Sequence, residues 1–579
     1  MRNCISKFIL ITAFTFIYQL GTSRETFGTF KDWDYSGTEV FGFLKLVNPV
    51  ARHYYRITKQ DSTSVRVEEI NASEIIIRTV IIKFVNGQLS KVTHTNQWGD
   101  TYKILIFVPL GNDEFTVTET VNGKNSLLPC KTSKFIYKNN LLTEVRYTSF
   151  DGRLANGANG VAIIRYKRFD DDDRFSLIKE QAFYDEQDSP VINKGWDCHK
   201  VVYERDERGN ELSRAHYDEQ QQPVANRLGA FKFLKTYDLY DNELENSSLG
   251  LKGEVTPIVY GVAKSRIAYK NGLKTKTTFY DADNNIVKAA DAGSGLAITK
   301  YEYDERGNQI KVFYFDENER PMNDHQGIQR TDVTYSNLNM VIEVEFFDKE
   351  GRPVADKDYI HRYAYTRDKK GRIIQSAFFD NYNTPVENRY DRSYIIKIKY
   401  DSLGHVISNS YWRENNVKMH RWDGYHEKIS AFNEQGQEII SSLYNEKGKL
   451  FISDAGYSST VTKYNQNGQI GEYQRFIDNT PVTTKTGDVK NYHSVRFSYD
   501  EKNRISQIEY FDTLGNPTNA YINVDDGVPC HKIEMIYTGN NVVKENLFPL
   551  GSRYPFRTID CLTNAFVSSS GTSVTPKKR

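Results

Sequence analysis

The chain has 579 residues, long enough for roughly three or four ordinary domains. Its 76 Lys and Arg stand against 75 Asp and Glu, so no global field draws it to nucleic acid or an anionic membrane, and phosphate-dominated binding is disfavoured as a main role. Aromatics reach 13%, with 39 Tyr and 32 Phe against 5 Met, a balance that favours pleated strands over helices.

The first segment, MRNCISK, carries Arg2 and Lys7 ahead of the apolar run FILITAFTFIYQLG, which is short for a membrane span. Gly21 and Ser23 are small residues two apart, so residues 1–23 read as an export signal cleaved before Arg24; the other reading keeps them as an N-terminal anchor. Cys4 precedes the apolar core and is not placed to become a lipidated N-terminus. No later segment reaches about 18 apolar residues. IIIRTVIIKF, 75–84, comes nearest, and Arg78 and Lys83 interrupt it. The expectation is export to the periplasm, the outer surface or the medium, with membrane association only if the leader is retained. Residues 24–134 hold further strand-like runs (HYYRITKQ, YKILIFVPL) and read as a β-rich N-terminal cap that protects the first sheet edge of a repeat array.

Residues 135–537 repeat. An aspartate preceded by an aromatic recurs at Asp151, Asp185, Asp218, Asp281, Asp316, Asp348, Asp380 and Asp512, with Asp478 behind Ile477 and with Arg413 and Asn445 in degenerate copies. One anchor is lost near Leu249, and the period is about 33 residues over about twelve copies. A proline often lies five residues after the anchor, as at Pro190, Pro223, Pro321, Pro353, Pro385 and Pro517. Lacking a backbone donor, it belongs in a turn or at the start of an extended segment. Within one copy, Tyr301 and Tyr303 share one face of a strand, and DERGN (Asp304–Asn308) supplies turn chemistry with Gly307 free to take positive φ. Ile310, Val312 and Tyr314 then alternate with Phe313 and Phe315. Each aromatic–Asp pair therefore ends one strand and opens one turn, and each unit is a β-hairpin followed by a longer return loop. The predicted fold is all-β: an elongated or curled antiparallel β-hairpin repeat array, its units sharing a core that no single hairpin could bury. Residues 538–579 form a C-terminal extension, with a Ser/Thr-rich basic tail from Ser568 that reads as disordered.

The stretch Tyr301-Glu-Tyr303-Asp304-Glu-Arg-Gly307-Asn308 resembles the front half of the tyrosine–aspartate (YD, Rhs-type) repeats of bacterial surface and toxin-delivery proteins. Aromatic hairpins joined by Gly/Asn/Asp turns are also similar to the MORN-variant repeats of bacterial exported proteins. FYFDENERPM is faintly similar to glucan- and choline-binding repeats. The likeness covers about residues 135–537 as a style of repeat. It departs from the Rhs pattern in its longer period and its F-F-D-x-x-G-x-P-V second half, and from choline-binding repeats in lacking regular Gly-Trp pairs. It implies a β-hairpin array whose repeats are non-catalytic shells, scaffolds or adhesive surfaces.

Signals for chemistry are weak. The turn aspartates and FDDDDRF (Asp170–Asp173) offer oxygens for Ca²⁺, but no D-x-D-x-D-G spacing accompanies them, so no metal or cofactor is expected. Cys130, Cys198, Cys530 and Cys561 permit three pairings, of which Cys530–Cys561 is the shortest; four free thiols are the alternative. Two Cys-His-Lys triplets place His199 and His531 beside cysteines, yet adjacent strand residues face opposite ways, and the triplets read as repeat drift. There is no G-x-S-x-G, H-E-x-x-H or phosphate-binding loop. The better candidates are aromatic. The residues before the anchors, Phe315, Phe347, Phe379 and Trp412, form a candidate ligand strip, if their row is the less buried of the two. The reading is a non-enzymatic exported scaffold binding protein or glycan along its repeats. The alternatives are an Rhs-like shell or toxin-delivery component, and a hydrolase with a cryptic site.

Overall fold

The computed structural model describes most of the chain between Glu25 and Val574. Outside the description lie residues 1–24, 34–43, 47–53, 71–75, 97–100, 126–131, 170–176, 290–294, 485–488, 501–504, 523–527, 561–564, 569–572 and 575–579, with shorter gaps elsewhere. The export signal, Cys130, Cys561 and the run Asp170–Asp173 fall in those segments. Among the described residues the fold is all-β, with one 3-10 turn at Glu414–Asn416. Two units divide the chain. The first holds residues up to Val386 apart from 122–125 and 374–376, and the second holds those two segments and Glu387–Arg579.

In the first unit an antiparallel meander (Tyr54–Asp61, Ser64–Ile70, Ile76–Val85, Gln88–Asn96, Thr101–Pro109 and Glu114–Val121) leads into the hairpin Thr132–Lys138 and Leu141–Thr148. The polar breaks in IIIRTVIIKF are accounted for by the strand they sit on: Arg78 pairs with Glu69 at 2.6 Å while Val80 and Ile82 are buried. One apolar core runs from Val65 through Phe135 and Phe183 to Val201, so the meander and the first repeats pack as one body.

The repeating unit is a hairpin of a six- or seven-residue first strand and a second strand of seven or eight. In Ile298–Tyr303 against Gln309–Phe315, Ile298 lies opposite Phe315, Lys300 opposite Phe313 and Tyr301 opposite Val312. One face therefore carries Tyr301, Val312 and Tyr314, and the other carries Lys300, Phe313 and Phe315, as the period-two alternation requires. The second strand pairs with the next first strand over three rungs only, Lys311–Asp332, Val312–Thr331 and Phe313–Arg330.

In this copy three turns share one geometry. At the hairpin turn, Oδ1 of Asp304 accepts from the N–H of Arg306 (2.9 Å) and Asn308 (2.8 Å), and Gly307 takes φ 84°. At the anchor turn, Oδ1 of Asp316 accepts from Asn318 (2.9 Å) and Arg320 (2.8 Å). The third turn lies inside the stretch that the sequence reads as a plain return loop: Oδ1 of Asp324 accepts from Gln326 (2.8 Å) and Ile328 (2.9 Å). Each side chain fills two backbone donors that the turn leaves open, which is why Asp or Asn recurs there. The proline after the anchor pairs with the pre-anchor residue, as Phe315 with Pro321, and its missing donor costs nothing because the neighbouring Met322 N–H reaches Tyr314 O at 3.1 Å.

Two details revise the sequence reading. Ile477 is not the pre-anchor residue of its copy; Phe476 is, since Phe476 O accepts from Ser458 N–H as Tyr444 O does from His426 N–H one copy earlier. Asp478 (φ 46°) and Asn479 (φ 63°) form a tight two-residue turn in place of the Asp-anchored one, which shifts the aspartate by one position. Near Leu249 the lost anchor is Gly250, whose N–H still bonds Glu254 O at 2.8 Å while Leu249 bridges Val255.

The tyrosine that ends many first strands ties one copy to the one before it. Its hydroxyl donates to a carbonyl at the start of the preceding second strand: Tyr237 to Glu211 (3.0 Å) and Tyr335 to Gln309 (3.0 Å) in the first unit, Tyr464 to Glu438 (3.0 Å) and Tyr499 to Ile470 (2.9 Å) in the second.

Candidate ligand surface on the repeat turns

The strip picked out by the sequence is half-buried, and the chain's own cations lie over its rings. Arg330 Cζ is 4.1 Å from the Phe347 ring centroid, and Arg362 Cζ is 3.7 Å from Phe379. Lys300 Nζ is 4.5 Å from Phe315, and Lys397 Nζ is 4.1 Å from Trp412 in the second unit. The cation comes from the first strand of the same hairpin, where alternation puts it on the ring's face. It then reaches the anchor turn: Arg362 Nε donates to Asn383 Oδ1 (2.9 Å), and Lys300 Nζ to Glu319 Oε2 (3.1 Å). The pre-anchor row is the less buried one at Phe379 and Trp412, whose neighbours Phe378 and Tyr411 are buried. Its ring faces nonetheless serve an aromatic–cation–turn stack within each copy.

A histidine recurs just before the first strand. His199 and His361 in the first unit and His426 and His493 in the second are buried, and His531 is half-buried. Each meets a pre-anchor ring edge-on: Tyr184 with His199 (5.2 Å), Phe347 with His361 (5.3 Å), Trp412 with His426 (5.0 Å), Phe476 with His493 (5.2 Å) and Phe511 with His531 (6.1 Å). The Cys-His-Lys triplets are thus a repeated packing position rather than drift. His426 Nδ1 lies 2.9 Å from Met419 O, so that nitrogen carries the proton. Burial pushes the Cys198 thiol up to about 12 and the Cys530 thiol up to about 11, which keeps both protonated at neutral pH. Cys530 is a free thiol, with Sγ donating to Lys532 O at 3.1 Å. Of the alternatives left open by the sequence, Cys198 and Cys530 are free thiols, while Cys130 and Cys561 lie outside the described residues.

The turn aspartates spend their lone pairs on backbone and neighbouring side chains. Between two copies in the first unit, Asn210 Nδ2 donates to both Asp206 Oδ2 (2.8 Å) and Asp241 Oδ1 (2.7 Å), and Arg208 pairs with Asp241 at 3.0 Å. An amide and a guanidinium stand where a bridging cation would. Among the described residues no group of three or more His, Cys, Asp or Glu is placed to hold a metal ion.

Exposed rings sit instead on turns, Tyr382 (88% exposed) on an anchor turn and others on the return turns, where the sequence shows no aromatic period. Tyr359 is 71% exposed in the first unit; Tyr390 and Trp422 are 63% and 59% exposed on consecutive return turns of the second. Those two turns are joined by Arg421 Nε to Asp391 Oδ1 at 2.7 Å. Arg421 also reaches Asp423 Oδ2 (2.8 Å) and Tyr425 Oη (3.3 Å), and its Cζ is 5.2 Å from the Trp422 ring. Asp423 Oδ1 is buried without a hydrogen-bond partner, an acceptor left unfilled. The signal that marks these turns is a third Asp/Asn-x-x-Gly pattern in each copy, visible at Asn226–Gly229 and Asp324–Gly327 and degenerate at Asn388 and Arg421.

No protein-family model matches the chain, and no curated protein matches it. Among solved structures it is similar to TcdB2-TccC3-TEV, with 9% identity, TM-score 0.33, and coverage of 92% of this chain and 30% of that one. TcdB2-TccC3 without the hypervariable C-terminal region gives 11% identity, TM-score 0.24 and coverage of 91% and 30%. A porin-like protein from Bacteroides uniformis gives 8% identity, TM-score 0.12 and coverage of 57% and 91%. The chain spans 30% of the length of the first two.

Proposed function

We propose that this is an exported, non-enzymatic repeat scaffold that binds a glycan through the aromatic tips of its return turns. The observation that carries the reading is the second-unit pair of exposed rings, Tyr390 and Trp422, flanking the fixed Arg421–Asp391 bridge. Flat exposed rings offer C–H faces of a sugar an apolar platform, and an anchored guanidinium and carboxylate supply donors and acceptors for its hydroxyls. The pre-anchor strip is less suited to the role because cations already cover its rings. The leader-like sequence at 1–23 supports export.

The test is calorimetric titration of the chain, leader removed, with soluble fragments of cellulose, chitin, xylan and peptidoglycan glycan strands. Trp422→Ala and Tyr390→Ala should each weaken binding about five- to thirtyfold, the loss of one stacking contact of about 1–2 kcal/mol, while Phe315→Leu leaves it unchanged. If no glycan binds, or if the two ring variants bind as the parent does, the proposal is wrong.

A further inference from the structure

Arg475 holds a place that other copies give to a core side chain. It precedes the pre-anchor Phe476, the register position taken in the second unit by Tyr411, Leu443 and Tyr510. It is only 8% exposed. Around it lie the rings of Tyr492, Tyr473 and Tyr457, with centroids 4.3, 4.9 and 5.8 Å from Cζ. Nη2 donates to Tyr492 Oη at 2.6 Å and Nη1 to His493 O at 3.4 Å. Nε is buried with no hydrogen-bond partner, and among the described residues no carboxylate pairs with the guanidinium.

A guanidinium does not shed its proton in a protein, so burial leaves the charge in place and unmet. The same unit shows a paired, half-buried arginine for contrast: Arg421 has Asp391 at 2.7 Å and Asp423 at 2.8 Å. Ring faces recover part of the desolvation cost at Arg475, but they are no substitute for a counter-ion and give Nε no acceptor. A donor edge with an open Nε, in a cage of phenols, is the complement of a planar oxyanion.

We propose that the Arg475 cage binds the carboxylate of a small organic anion. One guanidinium supplies the positive charge of the cage, which suits a singly charged carboxylate better than a phosphate dianion. The phenol walls suit a carboxylate borne on an apolar or aromatic body. The site is separate from the Tyr390–Trp422 surface and does not depend on it.

The experiment uses the full chain with benzoate and acetate as probes, against chloride and phosphate at equal ionic strength. Two signals are read: the melting temperature of the second unit, and labelling of Arg475 by phenylglyoxal followed by peptide mass analysis. Benzoate at tenfold over its dissociation constant should raise the transition by about 3–5 °C and slow labelling at Arg475 several-fold, with phosphate and chloride doing neither. Arg475→Met should abolish the benzoate shift. If it does not fold, Tyr492→Phe keeps the guanidinium and should weaken half-maximal binding several-fold. Equal shifts in parent and Arg475→Met, or labelling indifferent to benzoate, overturn the proposal.

Discussion

Replacing Phe347 separates the two roles available to the pre-anchor row. The ring is half-buried between Arg330 Cζ at 4.1 Å and the His361 ring at 5.3 Å. A fully buried Phe→Ala change costs roughly 3–5 kcal/mol, and half that burial gives about 2 kcal/mol for Phe347→Ala. Phe347→Leu keeps most of the apolar area but loses the cation–ring contact, ~0.5–1 kcal/mol, and the edge-on pair, ~0.5–1.5 kcal/mol, so it should cost about 1–2 kcal/mol. In a repeat array the damage is local, since each copy's stability rests on its neighbours. Hydrogen exchange by mass spectrometry should show faster exchange in Arg330–Tyr335 and Val341–Phe347, the two strands of that hairpin, and little change at Val65–Val92. A double-mutant cycle with Arg330→Met should return a coupling of about 0.5–1 kcal/mol. If Phe347→Leu leaves exchange and stability as they were, the stack is not structural, and the row returns to being a candidate ligand strip.

The tyrosine ties make alkaline stability a second check. Burial, then the nearby Asp304 carboxylate, raises the Tyr335 pKa above its ordinary value, so the native state holds a proton that the unfolded chain releases. The contribution is complete below about pH 10 and is lost as pH rises through the native value. Tyr335→Phe should cost about 0.5–1 kcal/mol at neutral pH and flatten the alkaline limb of the melting curve, and an unchanged limb would remove the tie from the account. On the acid side, Lys276 and then Lys300 hold the Glu319 pKa down to about 2. Their support is present above the ordinary carboxylate range and fades as pH falls toward about 2. Carboxyl NMR titration should find Glu319 ionised well below its ordinary range, less so in Lys276→Met and in high salt; ordinary titration in the parent would refute the pairing.

Distance along the chain decides how much of this protein is legible in its letters. The 33-residue repeat, the hairpin with its two polar turns, and the division of Tyr301, Val312 and Tyr314 from Phe313 and Phe315 onto opposite faces rest on local rules: turn chemistry and a period of two. Those rules act within a few residues, so the letters suffice. They misplace one ring by a residue, at Phe476, because a tight Asp-Asn turn moves the aspartate that serves as a ruler. They miss the return turn because its Asp/Asn-x-x-Gly pattern is complete in only some copies: Asn388 lacks the glycine three residues on, and Ile258 and Arg421 replace the Asp or Asn. The rest requires register. Lys300 covers Phe315 because strand pairing brings residues fifteen apart onto one face, and Tyr335 meets Gln309 only because one hairpin is laid against the last. Whether a charge is paired is likewise a property of the packed neighbourhood. Arg421 and Arg475 look alike as letters, and only the tertiary structure gives one of them two carboxylates and leaves the other enclosed by tyrosine rings.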